Sequence, residues 1–225
     1  MSKLIEIKGL YYYAAGSGAA IFEDVDAEFY QGERVAIVGP LGSGKATLLR
    51  LLLGLEKPQQ GRISLLGKDI GTLERQEIDM LRQDIGVVFE NSALISNLKV
   101  IENVMLPIQY HTDLAADAIM ERALSLLYSV GYRGDMWELP GPLPSYTKKS
   151  IAIARAMALD PVIMIYDRLM EGLDVYQGLE ILRFVDGFHK DRKDRLSVMI
   201  ANDERDVRDI MPDSVLRIEN RRIVK

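Results

Sequence analysis

At 225 residues, 48% of them hydrophobic and 27% charged, the chain has the size and composition of one soluble globular domain with a real core. A formal net charge of −5 argues against a nucleic-acid partner, which would call for a clustered basic surface. With no cysteine there is no disulfide framework and no thiolate metal site. Every apolar run is too short to span a bilayer.

In chain order, Met1–Lys8 alternates apolar with charged residues and reads as a strand rather than a secretion signal. Leu10-Tyr11-Tyr12-Tyr13 extends it towards a flexible connection, Ala14–Ala20, which holds Gly16 and Gly18. Ile21–Phe29 alternates again, and Gln31-Gly32 supplies a turn. These segments predict a small antiparallel sheet beside the next strand, Val35–Val38.

That strand runs into Gly39-Pro40-Leu41-Gly42-Ser43-Gly44-Lys45-Ala46-Thr47 and then into the helical pattern Leu48–Leu53. Strand, glycine-rich loop, lysine and helix is the layout of a phosphate-binding loop. Its backbone amides and the helix N-terminus receive an anion, and the lysine reaches the outer oxygens. Gly39, Gly42, Ser43, Gly44, Lys45, Ala46 and Thr47 are therefore candidate nucleotide-binding residues. Position 46 of such a loop carries a hydroxyl that holds Mg²⁺, and here it is alanine.

Beyond the loop, Arg62–Leu66 reads as a strand, Thr72–Gln83 as a helix and Asp84–Phe89 as a buried strand. Val100–Tyr110, Leu114–Val130 and Thr147–Leu159 carry apolar residues at helical spacing. Pro140, Pro142 and Pro144 force a loop between the last two. Val162–Asp167 is a continuous apolar run ending in an acid, as suits a central parallel strand. Leu196–Ala201 is another, and Val215–Ile218 with Ile223–Val224 predicts a terminal hairpin. The result is a mostly parallel α/β fold with an N-terminal antiparallel β-subdomain and an inserted helical subdomain. As a single domain 1–225, roughly 1–90 and 157–225 form its core and roughly 91–156 its helical part.

These residues, in order and at this spacing, resemble the ATP-binding subunit of ABC transporters. The markers are the phosphate loop, Val88-Phe89-Glu90 at the Q-loop, Leu143–Lys149 at the signature, Ile163–Asp167 at Walker B, Gly172-Leu173-Asp174 at the D-loop, and Ala201-Asn202-Asp203 at the switch position. Ile151–Ala156 followed by Asp160-Pro161 is also similar to the stretch after the signature. The segment Phe89–Thr112, with Ala93-Leu94, Glu102-Asn103-Val104 and Leu106-Pro107, resembles the Mla-type ATPases of MCE phospholipid-transport systems.

The resemblance implies a P-loop NTPase fold, ATP with Mg²⁺ as cofactors, and a homo- or heterodimer with ATP held between the phosphate loop of one subunit and the signature of the other. It also implies an integral-membrane permease as partner and a peripheral place on the cytoplasmic face of the membrane. Letter by letter, however, the chemistry is altered. Lys45 and the glycines are kept, as is the Walker B carboxylate Asp167, which supports the metal. The glutamate that should follow it is Arg168, a permanent cation that cannot take a proton from water. The Q-loop glutamine is Glu90, and the switch histidine is Asn202, which cannot protonate but can hydrogen-bond a phosphate. The signature reads Leu143-Pro144-Ser145-Tyr146-Thr147. It lacks its usual serine position, loses a backbone donor to proline, and carries a tyrosine where glycine allows close approach.

No catalytic set is intact, and the expected activity is weak or absent hydrolysis. A competent transporter ATPase and a scaffold that binds no nucleotide stay open as alternatives. Glu90 is read either as a carboxylate donor to Mg²⁺ or as a solvated loop acid. Arg168 is read as an ion-pair partner of Asp167, Glu171 or Asp174, ahead of a contact with the γ-phosphate. Tyr13 stacks on adenine or packs within its strand, since the family's aromatic aligns with Ala14. Lys148 and Lys149 are expected at the exposed start of a helix. His111 and His189 have no metal-ligand spacing.

Overall fold

The computed structural model describes residues 2–14, 16 and 18–225. Met1, and Ala15 and Ser17 of the connection expected to be flexible, lie outside the described residues. The elements in chain order are β1 (Lys3–Tyr13), β2 (Ala20–Tyr30), β3 (Arg34–Val38), α1 (Lys45–Leu52), β4 (Gln60–Leu65), β5 (Lys68–Asp69), α2 (Arg75–Arg82) and β6 (Ile85–Val88). They continue with α3 (Val100–His111), α4 (Ala116–Ser129), α5 (Ser145–Ala156), β7 (Ile163–Asp167), α6 (Val175–Lys190), β8 (Leu196–Ala201), a 3₁₀ turn (Glu204–Ile210), β9 (Ser214–Glu219) and β10 (Arg222–Val224). The chain forms two compact units, Met1–Arg82 with Lys193–Lys225, and Gln83–Arg192.

In the first unit, β2, β1, β4 and β5 form the expected antiparallel sheet in that order. Ile5, Ile7, Leu10, Phe22, Phe29 and Ile63 bury its inner face, as the alternation required. Gly61 has no room for a side chain, because a Cβ there would lie 2.2 Å from the Gly9 carbonyl oxygen, and it lets β4 pass close to β1. The loop strand β3 is flanked on both sides by parallel partners. Val38 stands opposite Ala201 of β8 and Arg217 of β9. Val35, Ala36, Ile37 and Val38 are buried, which explains a run without alternation. The terminal hairpin β9–β10 forms as expected, with Ile223 opposite Ile218.

In the second unit, β6 and β7 pair in parallel, from Ile85 opposite Ile163 to Val88 opposite Tyr166. Gly86 is obligatory there, because a Cβ would meet the Met164 sulfur at 2.3 Å and the Ala156 carbonyl at 2.6 Å. Helices α3, α4 and α5 pack on one another, and α5 also packs on β6 and α6. The buried Asn103 ties the start of α3. Its Oδ1 accepts from the Ile95 amide, and its Nδ2 reaches the carbonyls of Ile95, Leu98 and Lys99. Among the described residues, no helix is long and apolar enough to cross a membrane.

Candidate functional site

The loop between β3 and α1 has the geometry its glycines predict. Gly42 (φ 80°) and Gly44 (φ 105°) adopt left-handed backbone that side chains resist. Gly44 is doubly constrained, since a Cβ there would lie 2.7 Å from Ile21 Cγ2 and 3.0 Å from Phe22 Cζ. A Cβ on Gly39 would fall 2.6 Å from Ser43 Oγ. Helix α1 starts at Lys45 with no side-chain cap and no acid in its first turn. Its N-terminal amides and dipole therefore face the loop with no acidic side chain in the helix's own first turn.

Lys45 is buried, and its ammonium donates to the carbonyl oxygens of Gly39 and, at 2.8 Å, Pro40. The charge is thus held across the loop rather than in solvent. Ser43 Oγ is buried without a hydrogen-bond partner. Thr47 is buried and its hydroxyl accepts from Arg50 Nη2 at 3.3 Å. Arg50 is fixed in turn by Glu56 at 2.6 Å, and Glu56 accepts the Tyr12 hydroxyl at 2.6 Å. That hydroxyl first, and Arg50 after it, hold the Glu56 carboxyl below its ordinary range.

Asn202 follows β8 directly, and the amide of Gly39 donates to the Ala201 carbonyl at 3.3 Å. The register of β3 and β8 thus carries Asn202 to the loop's first residue, where its Oδ1 is buried without a partner. Asp203 fixes the chain just beyond by capping the 3₁₀ turn through the Arg205 amide at 2.9 Å. Tyr13 ends β1 with its backbone clamped by Gln59, whose Oε1 accepts from the Tyr13 amide and whose Nε2 donates to its carbonyl.

These features fit phosphate: an anion-ready helix start, the unpartnered buried hydroxyl of Ser43, a confined lysine and a cradle that Cβ atoms would fill. Ala46, the residue after Lys45, is exposed and its methyl side chain carries no oxygen.

In the second unit, three altered or retained motif residues come together. Asp167 ends β7 and is buried, and Arg168 follows it with a left-handed backbone (φ 46°). The Arg168 guanidinium pairs with Glu90 through Nη2, with Asp167 through Nε at 3.6 Å and with Glu171 through Nη1 at 3.9 Å. Glu90 and Arg168, the two positions expected to depart from the family pattern, are therefore bonded to each other. Glu90 is thus ion-paired while its side chain stays 37% exposed to solvent. The Asp167 and Glu171 pairings agree with the ion-pair reading of Arg168, and Glu90 is the partner it did not include.

Lys149 corrects a further expectation. Instead of an exposed helix start it is 3% exposed, and its ammonium donates to the carbonyls of Leu169 and Glu171 at 2.7 Å each, and of Arg168 at 3.3 Å. Burial pushes its pKa down, while Glu171, Glu90 and Asp167 oppose that shift by favouring the charged form. The lysine pins the turn that follows Asp167.

The signature-like stretch leads into α5. The Leu143 amide donates to the Pro140 carbonyl at 3.2 Å, Pro144 is the N-cap, and Ser145, exposed, is the first helical residue. Proline suits that position because the helix start has no intrahelical partner for its missing N–H. Tyr146 is tethered to α6, its hydroxyl donating to Glu180 Oε2 at 2.8 Å, and burial raises its pKa. Helix α6 itself was missed from sequence. Its signal is the capping box Asp174-Val175-Tyr176-Gln177, with Ile181 and Val185 at helical spacing behind it.

Comparison with known proteins agrees with this geometry. Residues 22–170 match the family described as ABC transporter. The intermembrane phospholipid transport system ATP-binding protein MlaF of Haemophilus influenzae is 35% identical, over 76% of this chain and 64% of that protein. The methionine import ATP-binding protein MetN of Campylobacter jejuni is 32% identical over 98% of this chain and 69% of its own length. The probable ribonucleotide transport ATP-binding protein mkl of Mycobacterium leprae is 34% identical, over 77% of this chain and 50% of that protein. The chain therefore spans between half and somewhat over two thirds of these curated relatives.

Among solved structures, the dimeric ATP-binding cassette MJ0796, in a post-hydrolysis state bound to ADP and Pi, superposes with a TM-score of 0.88 at 25% identity, covering 98% of this chain and 97% of that one. The cbiO1 cassette of Clostridium perfringens gives 0.86 at 26% identity, covering 100% of this chain and 88% of that one. With the phosphate loop in place and the match extending across the fold, the chain belongs to the ABC transporter family, as one of its ATP-binding cassette domains.

Proposed function

We propose that this chain is the nucleotide-binding subunit of a phospholipid transporter of the Mla/MCE type, holding ATP at its phosphate loop and hydrolysing it weakly or not at all. The observation that carries the reading is Arg168, ion-paired to Glu90 in the place of the glutamate that would orient water. A guanidinium accepts no proton, so the water-activating role has no occupant at that position. The altered signature Leu143-Pro144-Ser145-Tyr146 compounds the loss, whichever subunit it serves. Removing such groups costs orders of magnitude in rate.

Binding is a separate matter. Gly39, Gly42, Gly44 and Lys45 would hold the β- and γ-phosphates, with Ser43, Thr47 and Asn202 as further polar contacts and Tyr13 beside the base. We take the chain as one domain whose helical part, roughly 91–156, serves a permease at the cytoplasmic face of the membrane. It works there as a homo- or heterodimer, as MJ0796 is dimeric. The lipid assignment is supported by the likeness to MlaF and by the segment Phe89–Thr112.

The test combines binding with assembly. Calorimetry should detect ATP, and Lys45→Ala should weaken it by about 10- to 100-fold, the worth of charge-assisted hydrogen bonds to phosphate. Expressed with its neighbouring genes, the chain should co-purify with a permease and an MCE lipid-binding protein. Absence of ATP binding would leave the scaffold alternative, and a permease for another cargo would overturn the lipid assignment.

A further inference from the structure

The stretch that follows α1 turns back on the helix. Gly54 takes left-handed backbone (φ 63°), its amide donates to the Leu51 carbonyl at 3.0 Å, and the Leu55 amide donates to the Arg50 carbonyl at 2.9 Å. The reversal sets Glu56 beside Arg50. One Glu56 carboxylate oxygen accepts from Arg50 Nε and the other from the Tyr12 hydroxyl, each at 2.6 Å. Further on, the Gln59 amide donates to the Tyr11 carbonyl at 3.2 Å. The Gln59 side chain accepts from the Tyr13 amide at 3.1 Å and donates to the Tyr13 carbonyl at 3.3 Å. The segment Glu56–Gln59 is thus bonded to Tyr11, Tyr12 and Tyr13 at the end of β1 and to Arg50 of α1, all within the first unit.

We infer that Glu56 and Gln59 are positioning residues that fix the base end of the nucleotide site relative to its phosphate end, so that the site takes a nucleoside triphosphate in preference to a triphosphate alone. The inference rests on the reading of the phosphate loop and Tyr13 as that site. At the phosphate end, Arg50 passes the constraint to the buried Thr47. A guanidinium only donates, so its Nη2 contact at 3.3 Å makes Thr47 Oγ1 an acceptor and leaves the hydroxyl proton for a different acceptor. A phosphate oxygen is such an acceptor. At the base end, Gln59 engages both backbone groups of Tyr13, and β1 cannot twist there without breaking those hydrogen bonds. Glu56 is common to both ends, because its two oxygens hold Tyr12 and Arg50. A shift of β1 against α1 therefore breaks a charge-assisted bond. Holding both ends before the ligand arrives lowers the cost of ordering them on binding.

The experiment is a calorimetric titration of the full chain with ATP and with inorganic tripolyphosphate in one buffer, for the wild type, Arg50→Met, Glu56→Gln and Gln59→Ala. Arg50→Lys, which keeps the charge but not the planar fork, is the second variant should Arg50→Met fold poorly. Urea unfolding without ligand checks the fold of each. The wild type should bind ATP at least about tenfold more tightly than tripolyphosphate. Arg50→Met should weaken both ligands alike, by about 3- to 10-fold. Gln59→Ala should weaken ATP by a similar factor and leave tripolyphosphate within about twofold of the wild type. Glu56→Gln should weaken both, and ATP the more. A general loosening of the fold does not give this split, since it weakens both ligands in every variant. Gln59→Ala weakening the two ligands alike, or Arg50→Met and Arg50→Lys both sparing tripolyphosphate, would overturn the inference while leaving the nucleotide site standing. A wild type that binds the two ligands equally would overturn it while leaving only the phosphate loop standing. Neither ligand binding the wild type would overturn the nucleotide reading and this inference with it.

Discussion

The phosphate loop is made of backbone, whereas the turn around Asp167 and Arg168 is made of side chains. The loop's working parts are amides and the start of α1, aimed by left-handed glycines and by strand register. One missing hydroxyl at Ala46 changes none of those directions. The second region has no such reserve, because each role there belongs to one side chain. There Glu90 and Arg168, read as standing where the family has glutamine and glutamate, form an ion pair. On the proposed reading, the backbone-built site keeps its capacity to bind while the side-chain-built site loses its chemistry.

Gly44→Ala would break the first half of that comparison most sharply. A side chain there meets both the strained φ of 105° and the Ile21 contact at 2.7 Å, so a loss of about 2–3 kcal/mol in urea unfolding is expected, with ATP binding lost as well. Gly42→Ala, with the same sign of φ but open space around it, should cost less, about 1 kcal/mol. Equal costs would mean that conformation alone, not packing against Phe22 and Ile21, sets the loop.

For the side-chain region, Arg168→Ala should destabilise by about 1–2 kcal/mol, less than a fully buried pair because both partners are part-exposed, at 22% and 37%. Glu90→Gln should cost less than that, and the double variant should show a coupling of about 1 kcal/mol. A coupling near zero would reduce the ion pair to an incidental surface contact.

The smallest effect concerns the support beneath Thr47. Because the Tyr12 hydroxyl and Arg50 depress the Glu56 pKa below 4.5, the stabilisation is present above that pH and is lost as pH falls through the lower folded value. Glu56→Gln should therefore be less stable than the wild type by up to about 1 kcal/mol near neutrality. The two should converge as the solution is acidified. A difference that persisted in acid would assign the effect to packing of Glu56 rather than to its charge.

The sequence disclosed what depends on local pattern. Buried runs marked β3, β7 and β8, alternation marked β1 and β2, and the glycine spacing marked the loop. It did not disclose partners chosen by tertiary folding. Glu90 and Arg168 are far apart in the chain, and only the parallel pairing of β6 with β7 brings them together. Lys149 read as surface because lysine usually is, and it is buried because three carbonyls of one turn accept its protons. Helix α6 is marked in the sequence by Asp174 and Gln177, the two members of its capping box. Asn103, fully buried at the start of α3, carries no pattern of its own in the sequence.

The central claim is that binding has been separated from chemistry, and phosphate release tests it directly. The chain, alone and with its co-purified permease, is incubated with ATP and Mg²⁺ under single-turnover and steady-state conditions. Turnover at least about a hundredfold below the ~1 per second of an ordinary enzyme of this kind, alongside measurable ATP binding, is the expected result. Release at ~1 per second or faster, abolished by Lys45→Ala, would show that Arg168 and the altered signature still support hydrolysis and would contradict the account.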